Sequence, residues 1–327
     1  MKAVQVSRFG GPEVLEVVEL DDPQAGPGQV VVDVDAAGVN YADTHATDDT
    51  YLRPQKLPFV PGAEVVGSAH GGAHDGQRVV ALLGGGGGYA EHSVAPEAVT
   101  FPVPEGLSDG AALALVLQGT TAWHLLRTST RLEPGESVVV HAAAGGVGSI
   151  AVQLARQWGA GRVIATASSA QKRELALSLG AHAAVDVGAA TTAQEVRDLL
   201  RDANEGRAVD VVLEMTGGHV FDGSLSALAP LGRIVCYGLA SRTPPTAVSP
   251  VGLMASSRTV AGFWLMHAVQ SGGGLEPAMD ELLSLTRTGR LRPVVGATYP
   301  LESAREAHET LLRRGTQGKL VLRVADR

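Results

Sequence analysis

The sequence predicts an α/β protein with two domains, one mostly β and one built on a doubly wound parallel sheet. Its 327 residues exceed what one hydrophobic core usually serves. Short valine-rich runs mark the first third, whereas strands alternate with helices in the middle of the chain. Hydrophobic residues make up 45% and charged residues 18%, which indicates packed interiors rather than disorder.

The first stretch, residues 1–104, has short apolar runs separated by Gly and Pro, such as 30–34, 64–67 and 78–83. This pattern predicts a mostly β domain. Five consecutive glycines at 84–88 are either a mobile loop or a place where another surface comes close, and the loop is favoured.

The middle stretch, residues 108–262, alternates valine-rich strands with helices rich in alanine and leucine. Strands that are apolar on both faces are typical of a parallel sheet covered on both sides. The predicted strands are 137–141, 162–166, 184–187, 209–214 and 232–237, and the predicted helices are 148–158, 171–179, 192–202 and 221–228. Two helices (275–288 and 303–314) and a strand (319–324) follow; because they are too few for a third core, we expect them to pack onto the first domain.

Charge and cysteine content exclude several classes of protein. The net charge of −8 argues against nucleic-acid binding, and the single cysteine, Cys236, allows neither an internal disulfide nor a multi-cysteine zinc site. The amino terminus lacks the apolar region of a signal peptide, and no later run reaches the ~20 apolar residues of a membrane span. We therefore expect a soluble, cytoplasmic protein that binds neither nucleic acid nor membrane.

The sharpest local motif is HAAAGGVG at 141–148, where a strand ends and a helix begins. It matches the dinucleotide fingerprint as Ala143-x-Gly145-x-x-Gly148, with alanine in the first glycine position. Ala143 can form the tight turn only if its backbone is not left-handed. The segment Ala144, Gly145, Gly146 and Val147 is predicted to contact the cofactor, with the amides of Gly146 and Val147 facing its phosphates. The alternative is a strand-to-helix turn without a ligand.

The next predicted strand should show which dinucleotide is bound. NAD sites place a carboxylate about 20 residues after the turn, but here the sequence is ATASSAQKR at 165–173. Ser168 and Ser169 can donate to a 2′-phosphate and Lys172 can supply charge, which predicts NADPH rather than NADH. The alternative is a solvated helix cap and an ordinary surface helix, and we favour that interpretation for Arg173.

Four spaced motifs support a family resemblance: GVNYADT at 38–44, LPFVPGAEVVG at 57–67, GYAE at 88–91, and the turn at 141–148. Together they resemble the zinc-independent quinone oxidoreductases of the medium-chain dehydrogenase/reductase superfamily, over residues 1–324. The resemblance implies a GroES-like catalytic domain (1–118 with 263–327), a Rossmann domain (119–262), NADPH, no metal, and a homodimer with Thr259–Gly262 as edge strand.

The resemblance also implies catalytic residues. Asn40 matches an asparagine near nicotinamide and substrate, although it could be a turn residue after a strand. Tyr51 matches a tyrosine that can donate to the substrate carbonyl, or it is a loop aromatic over apolar surface. His45 replaces a common tyrosine and could donate or relay a proton, or it is an exposed helical histidine. Asp43 and Glu64 are expected to be structural.

Further cofactor contacts are implied by position. Thr121 would approach the nicotinamide, with helix capping as the alternative. Gly238, Phe263 and Trp264 would belong to loops that flank the nicotinamide ring and hydrogen-bond its carboxamide by backbone, with plain core packing as the alternative for Phe263 and Trp264. Lys319 would touch the cofactor, or it is a solvated lysine at the start of a strand.

The sequence therefore predicts an NADPH-dependent reductase that sends hydride to a quinone or enone substrate. An enoyl reductase for enoyl thioesters of polyketide or fatty-acyl type is the alternative within enzymes. A non-catalytic NADPH-binding or structural protein is the alternative from another class.

Overall fold

The computed structural model describes residues 1–270 and 274–325. They form two compact units, Met1–Thr120 with Met266–Arg327, and Thr121–Leu265. The sequence analysis places the domain junctions at 118/119 and 262/263, which are two and three residues before the junctions in the structure.

The first unit contains a seven-stranded sheet and a separate two-stranded antiparallel sheet. In the large sheet the order is β14-β15-β3-β4-β5-β7, and β6 pairs with β3. The tail returns to the first domain as expected, because β15 pairs antiparallel with β3 and places Leu320 opposite Val39. The strands of this unit are β1 (Lys2–Val6), β2 (Leu15–Glu19), β3 (Gln29–Val39), β4 (Glu64–His70), β5 (Arg78–Leu82), β6 (His92–Pro96), β7 (Thr100–Pro102), β14 (Val295–Pro300) and β15 (Lys319–Arg323).

Alternating valines of β3 and β4 bury one face of this sheet, including Val30, Val32 and Val65. Helix α11 adds Ala304 and Ala307 to the same core. The helices of this unit are α1 (Tyr41–Thr47), α2 (Asp109–Leu113), α10 (Glu276–Arg287) and α11 (Ala304–Leu312), while α9 (Leu265–Gln270) begins at the second junction.

A helical segment that the sequence analysis did not predict crosses the first junction. It continues from α2 through a π-helical turn, Ala114–Gly119, into α3 (Thr120–His124) and a second π-helical turn, Leu125–Ser129. Nearly all its side chains up to Leu126 are buried, so it lacks the polar face that marks an amphipathic helix in a sequence.

The second unit is a six-stranded parallel sheet in the order β10-β9-β8-β11-β12-β13. This order confirms the doubly wound prediction, and it places the reversal of strand order between β8 and β11. The strands are β8 (Ser137–Val140), β9 (Arg162–Thr166), β10 (Ala183–Val185), β11 (Val209–Glu214), β12 (Leu228–Cys236) and β13 (Thr259–Gly262). The helices are α4 (Gly146–Gln157), α5 (Ala170–Ser178), α6 (Ala193–Ala203), α7 (Gly218–Ala227) and α8 (Pro250–Ser256).

The glycine run at 84–88 forms the expected loop, and it is also a place of close backbone approach. The amide of Gly87 donates to the Val60 carbonyl at 2.7 Å, and that of Gly88 to the Gly62 carbonyl at 3.2 Å. Gly86 has φ +96°, and a Cβ there would lie 2.6 Å from the Val60 oxygen. The alternative of close approach is therefore confirmed for this loop, whereas its mobility stays a prediction.

Within residues 1–270 and 274–325, none of the helices has the length and apolar character that crossing a membrane requires.

Candidate functional site

The turn between β8 and α4 is tight, and its left-handed residue is Ala142, with φ 50°. Ala143, in the first position of the fingerprint, does not have a positive φ, so it meets the condition set for it. The Ala143 amide donates to the carbonyl of Thr166 at 3.0 Å, which fixes the turn to the end of β9. The sequence pattern located the turn, but it did not identify the strained residue.

Two glycines keep side chains out of this turn. A Cβ on Gly148 would lie 2.7 Å from Ala143 Cα and closer still to the Ala142 oxygen, so helix α4 could not pack against the strand. A Cβ on Gly145 would lie 3.2 Å from the Ala142 oxygen. Gly148 thus meets the requirement that the fingerprint sets for its third glycine, whereas approach of a pyrophosphate to Gly145 stays a prediction.

Helix α4 presents main-chain donors at its start. Gly145 is its N-cap in an extended conformation, and the first internal bond to it comes from the Ser149 amide at 2.9 Å. The amides of Gly146 and Val147, in the first turn, have no carbonyl partner within the helix. Because the helix dipole adds positive potential at this end, the turn can hold a phosphate group.

A buried neutral histidine, which the sequence analysis missed, lies directly before the turn. His141 is fully buried, with Nδ1 2.9 Å from Thr166 Oγ1 and Nε2 2.8 Å from Ser224 Oγ. Burial lowers the pKa of His141 to about 4, so the ring is uncharged at neutral pH. Each ring nitrogen therefore has a hydroxyl partner, and the ring links β8 to β9 and α7. The sequence signal that could have identified this residue is a histidine at the end of a valine-rich strand.

The predicted 2′-phosphate ligands lie in the segment after β9, and one of them, Ser169, also caps a helix. Ser168 is exposed and Lys172 is half-buried, whereas the Ser169 hydroxyl accepts from the Lys172 amide at 3.3 Å and caps α5. Arg173, expected on an ordinary surface helix, is half-buried, and its Nη1 donates to the Ala167 carbonyl at 3.0 Å and to Asp186 at 3.1 Å. Ser168, Ser169 and Lys172 as cofactor ligands stay predictions.

The remaining predicted residues of the second unit follow its other strands. Gly238 comes after β12, and a Cβ there would lie 3.2 Å from Met215 Cβ. The Phe263 amide, directly after β13, donates to the carbonyl of Cys236 at 2.8 Å, and Trp264 beside it is half-buried. Dinucleotides bind at the carboxyl ends of parallel strands, and these residues lie there.

Glu214, at the carboxyl end of β11, is a second residue that the sequence analysis missed. Its buried carboxylate accepts from the amides of Thr216 at 2.7 Å and Gly217 at 3.1 Å. Burial raises the pKa of Glu214 to about 7 despite these bonds. The carboxyl group therefore holds the loop that leads into α7. In the sequence, its only signal was a charged residue in a largely apolar strand.

In the first unit, Asn40 is the centre of a buried polar network. Its Nδ2 donates to both carboxylate oxygens of Glu64, at 3.0 and 2.8 Å. Its Oδ1 accepts from Gln118 Nε2 at 3.1 Å and from Lys319 Nζ at 2.9 Å. Asn40 also begins helix α1 as the N-cap of a capping box. The amide nitrogen and oxygen are thus both engaged within the protein, and contact with nicotinamide or substrate stays a prediction.

Lys319 is fully buried, so the alternative of a solvated lysine is wrong. Its ammonium group donates to Glu64, to Asn40 Oδ1 and to the Val39 carbonyl. A buried ion pair needs such extra hydrogen bonds to offset the loss of water. A Cβ on Gly38 would overlap both charged groups, so glycine is required beside the pair. Cofactor contact by Lys319 stays a prediction.

Asp43 extends this network towards helix α11. Its carboxylate accepts from the Asn40 amide at 2.8 Å and from the Tyr89 hydroxyl at 3.1 Å, and Tyr89 also lies 3.0 Å from His308 Nε2. Burial, together with the charge of Glu64, raises the pKa of Asp43 to about 7. Burial lowers the pKa of His308 to about 4. Asp43 and Glu64 therefore bind structural partners, as expected.

The two predicted donors to substrate lie on and after α1. His45 is half-buried, its Nδ1 lies 2.6 Å from Thr50 Oγ1, and its ring centroid is 5.6 Å from that of Tyr41. Tyr51 is half-buried in the loop that follows. Their catalytic roles stay predictions.

Thr121 is buried within α3, which continues the helical segment 109–129, so the helix-capping alternative is wrong for it.

A GroES-like sheet and a Rossmann sheet in one chain define the medium-chain dehydrogenase/reductase class. Residues 26–105 match the alcohol dehydrogenase GroES-like domain, and residues 146–289 match the family described as zinc-binding dehydrogenase.

Full-length relatives narrow this class. Quinone oxidoreductase of Mus musculus is 34% identical and covers 98% of this chain and 97% of its own. The quinone oxidoreductase structure from Thermus thermophilus, also determined with NADPH, is 39% identical, with a TM-score of 0.86 over 99% of this chain and 100% of its own. That of Escherichia coli with NADPH is 31% identical, with a TM-score of 0.91 and the same coverage. The chain belongs to the quinone oxidoreductase family of this superfamily and is an enzyme of that type.

Proposed function

We propose that this enzyme is an NADPH-dependent, zinc-independent reductase that transfers hydride to a quinone or another conjugated carbonyl compound. The carrying observation is the turn from Ala142 to Gly148, which bears only small side chains and leads into the amides at the start of α4, donors suited to a phosphate. The relatives solved with NADPH support the same cofactor.

The residues present fit that cofactor. The turn from Ala144 to Val147 would hold the pyrophosphate, and Ser168, Ser169 and Lys172 would hold the 2′-phosphate where an NAD site has a carboxylate. Thr121, Gly238, Phe263 and Trp264 would line the nicotinamide end. When bound, NADPH supplies the hydride, and the protein supplies orientation and exclusion of water.

Zinc independence is supported by the side chains available. Within residues 1–270 and 274–325, no group of three or more His, Cys, Asp or Glu side chains could hold a metal ion. The only cysteine is Cys236, and burial raises the pKa of its thiol to about 12, which disfavours the thiolate that zinc binds. In this proposal, hydrogen bonds polarise the acceptor in place of a metal ion.

Tyr51 and His45 are the proposed donors to the oxyanion that develops on the acceptor. His45 Nδ1 is engaged with Thr50, so donation to substrate would use Nε2. Asn40, whose amide hydrogens bond Glu64, contributes by holding the start of α1. Replacing Tyr51 with Phe and His45 with Gln together should lower kcat about tenfold or more at unchanged NADPH affinity. Unchanged kcat would assign donation to backbone or water.

Cofactor titration tests the proposal directly. NADPH should bind at least about tenfold more tightly than NADH, because a 2′-phosphate bound by a lysine is a charge-assisted contact. Lys172→Ala should reduce this ratio, whereas Lys56→Ala, which removes an exposed lysine of the first unit, should leave it unchanged. Equal affinities for the two cofactors would contradict the NADPH assignment.

An acceptor screen separates the remaining activities. Faster NADPH oxidation with quinones than with enoyl thioesters is the expected result. The reverse order would make the protein an enoyl reductase. Tight NADPH binding with no turnover on any acceptor would leave a non-catalytic binding protein.

We also propose a homodimer formed along β13. This strand is the edge of its sheet, and exposed apolar side chains lie on the paired strand β12 and on helix α8, which precedes β13, namely Leu231, Val251 and Met254. Light scattering should give about twice 33.6 kDa for the wild type and the monomer mass for Thr259→Lys with Met254→Glu. A monomeric wild type would overturn this assignment.

A further inference from the structure

A groove lies between helices α7 and α8 of the second unit. Its volume of about 470 Å³ is sufficient for a small organic molecule. Leu225, Val248 and Leu253 give it an apolar middle. Two charged residues also line it, namely Asp222, one turn before Leu225 in α7, and Arg258, after the end of α8. The groove therefore combines an apolar surface with charged groups.

The carboxylate of Asp222 is already engaged within the protein. Its Oδ1 accepts from the Thr246 amide at 3.0 Å, and its Oδ2 accepts from the Thr246 hydroxyl at 2.8 Å. These two bonds tie the segment before α8 to α7. The charge of Asp222 therefore helps to build the wall of the groove.

The guanidinium of Arg258 has unused donors. Its Nη1 donates to the Leu225 carbonyl at 3.0 Å and its Nη2 to the Leu228 carbonyl at 2.5 Å, so it caps the end of α7. Each Nη carries a second hydrogen, and the buried Nε has no partner among the described residues. Because its partners are neutral carbonyls, Arg258 brings an uncompensated positive charge to the groove.

Arg201 adds a second half-buried cation at the same end of α7. Its Nη2 donates to the Ser226 carbonyl at 3.3 Å, and its buried Nε also lacks a partner within residues 1–270 and 274–325. Asp198, one turn earlier in α6, bonds Arg197 instead. Burial, and then the charge of Arg201, lower the pKa of Arg258. The surroundings of these two cations therefore favour an anion.

The Arg258 end of the groove lies at the amino edge of the parallel sheet. Leu228, whose carbonyl Arg258 binds, is the first residue of β12 and pairs with Val209, the first residue of β11. The turn before α4 follows β8 at the opposite, carboxyl edge, where dinucleotides bind. A ligand beside Arg258 is therefore expected to leave the dinucleotide turn accessible.

We propose that this groove is a second binding site, which takes an organic carboxylate with a short apolar chain. The carboxylate would accept from Arg258, because a planar guanidinium matches a carboxylate in shape and charge. The chain would lie against Leu225, Val248 and Leu253, where it is removed from water. This inference does not depend on the proposed reduction.

Calorimetric titration with three six-carbon probes tests the site. Hexanoate should bind at least about tenfold more tightly than hexan-1-ol or hexylamine, because only hexanoate joins the apolar chain to a negative charge for Arg258. Equal affinities would assign binding to apolar contact alone and overturn the proposal, as would no binding of hexanoate. Saturating NADPH should leave the hexanoate affinity unchanged. Competition between the two would place hexanoate at the dinucleotide turn and would also overturn the proposal.

Two variants of Arg258 separate its charge from its packing. Arg258→Lys keeps the positive charge and should keep most of the hexanoate affinity. Arg258→Met should weaken hexanoate about tenfold and leave hexan-1-ol binding unchanged, because only the charged contact is lost. Wild-type hexanoate affinity in Arg258→Met would contradict the assignment of the carboxylate to this residue.

A third variant fills the groove and leaves Arg258 in place. Gly252 lines the groove in α8, and a Cβ there would have its nearest contact at 3.6 Å, so a side chain can be added. Gly252→Phe should abolish hexanoate binding. Ala255→Phe, at an exposed residue of the same helix that does not line the groove, is the control and should bind hexanoate as the wild type does. Hexanoate binding that survives Gly252→Phe, or that both variants lose, would refute the groove as the binding site.

Discussion

The two polar regions of the molecule satisfy their hydrogen bonds in opposite ways. In the first unit, Asn40, Glu64 and Lys319 bond one another away from water. In the second unit, the turn from Ala142 to Gly148 bears no charged side chain and directs main-chain donors outward from the start of α4. The first arrangement completes its own bonds, whereas the second leaves main-chain donors that water or a ligand can satisfy. Polar residues in a motif therefore do not by themselves show where a ligand binds.

Removing the buried cation should have the largest effect. Lys319→Met leaves Glu64 as an unpaired charge in a site without water, which should lower the free energy of unfolding by about 3–5 kcal/mol. Adding Glu64→Gln should restore part of the loss, because the uncompensated charge is then gone. Urea unfolding of the two variants measures both effects. Wild-type stability in Lys319→Met would show that the ion pair is not a structural element.

Filling the turn should have the next largest effect, and it should act on binding as well as stability. Gly148→Ala puts a Cβ against Ala142 and Ala143, which should cost about 1–3 kcal/mol and sharply weaken NADPH binding. Gly252→Ala in α8 is the control, because its Cβ would have ordinary contacts, the nearest at 3.6 Å, and should be harmless. Normal NADPH affinity in Gly148→Ala would mean that the turn does not hold the cofactor.

Each unit also holds a buried carboxyl group that titrates near neutrality, which gives a smaller, pH-dependent effect. The pKa of Asp43 and that of Glu214 are raised to about 7 from 3.8 and 4.5, so the folded state binds protons that the unfolded chain releases. These groups therefore favour folding most below pH 4 and lose that contribution as pH rises to about 7. The urea midpoint of the wild type should fall relative to Asp43→Asn and Glu214→Gln between pH 5 and pH 8. A constant difference for either variant would show that its carboxyl group is ionised throughout.

The smallest expected effect separates a helix cap from a ligand. Ser169→Ala removes the cap of α5 and should cost about 1 kcal/mol of stability. Ser168→Ala, at the exposed neighbour, should leave stability unchanged and weaken NADPH but not NADH. Thermal unfolding and titration of both variants give the comparison. Equal losses of stability would assign both serines to the cap.

The sequence predicted the structural elements that depend on residues close to one another in the chain. Short valine-rich runs separated by Gly and Pro identified the mostly β domain, strands apolar on both faces such as β8 identified the parallel sheet, and the glycines before α4 identified the turn. It missed the segment 109–129, because a helix buried on nearly all sides has no amphipathic period. It also missed Glu214 and His141, whose pKa values depend on burial.

The sequence by itself determined the two-domain α/β class, the position of the turn before α4 and the absence of a cysteine-rich metal site. Only the tertiary structure decided that Lys319 is buried and that Asn40 bonds Glu64. The reason is distance along the chain: Lys319 meets Asn40 across 279 residues and Glu64 across 255. Backbone conformation follows from neighbouring residues, whereas the electrostatic environment of a side chain depends on which distant strands pack against it.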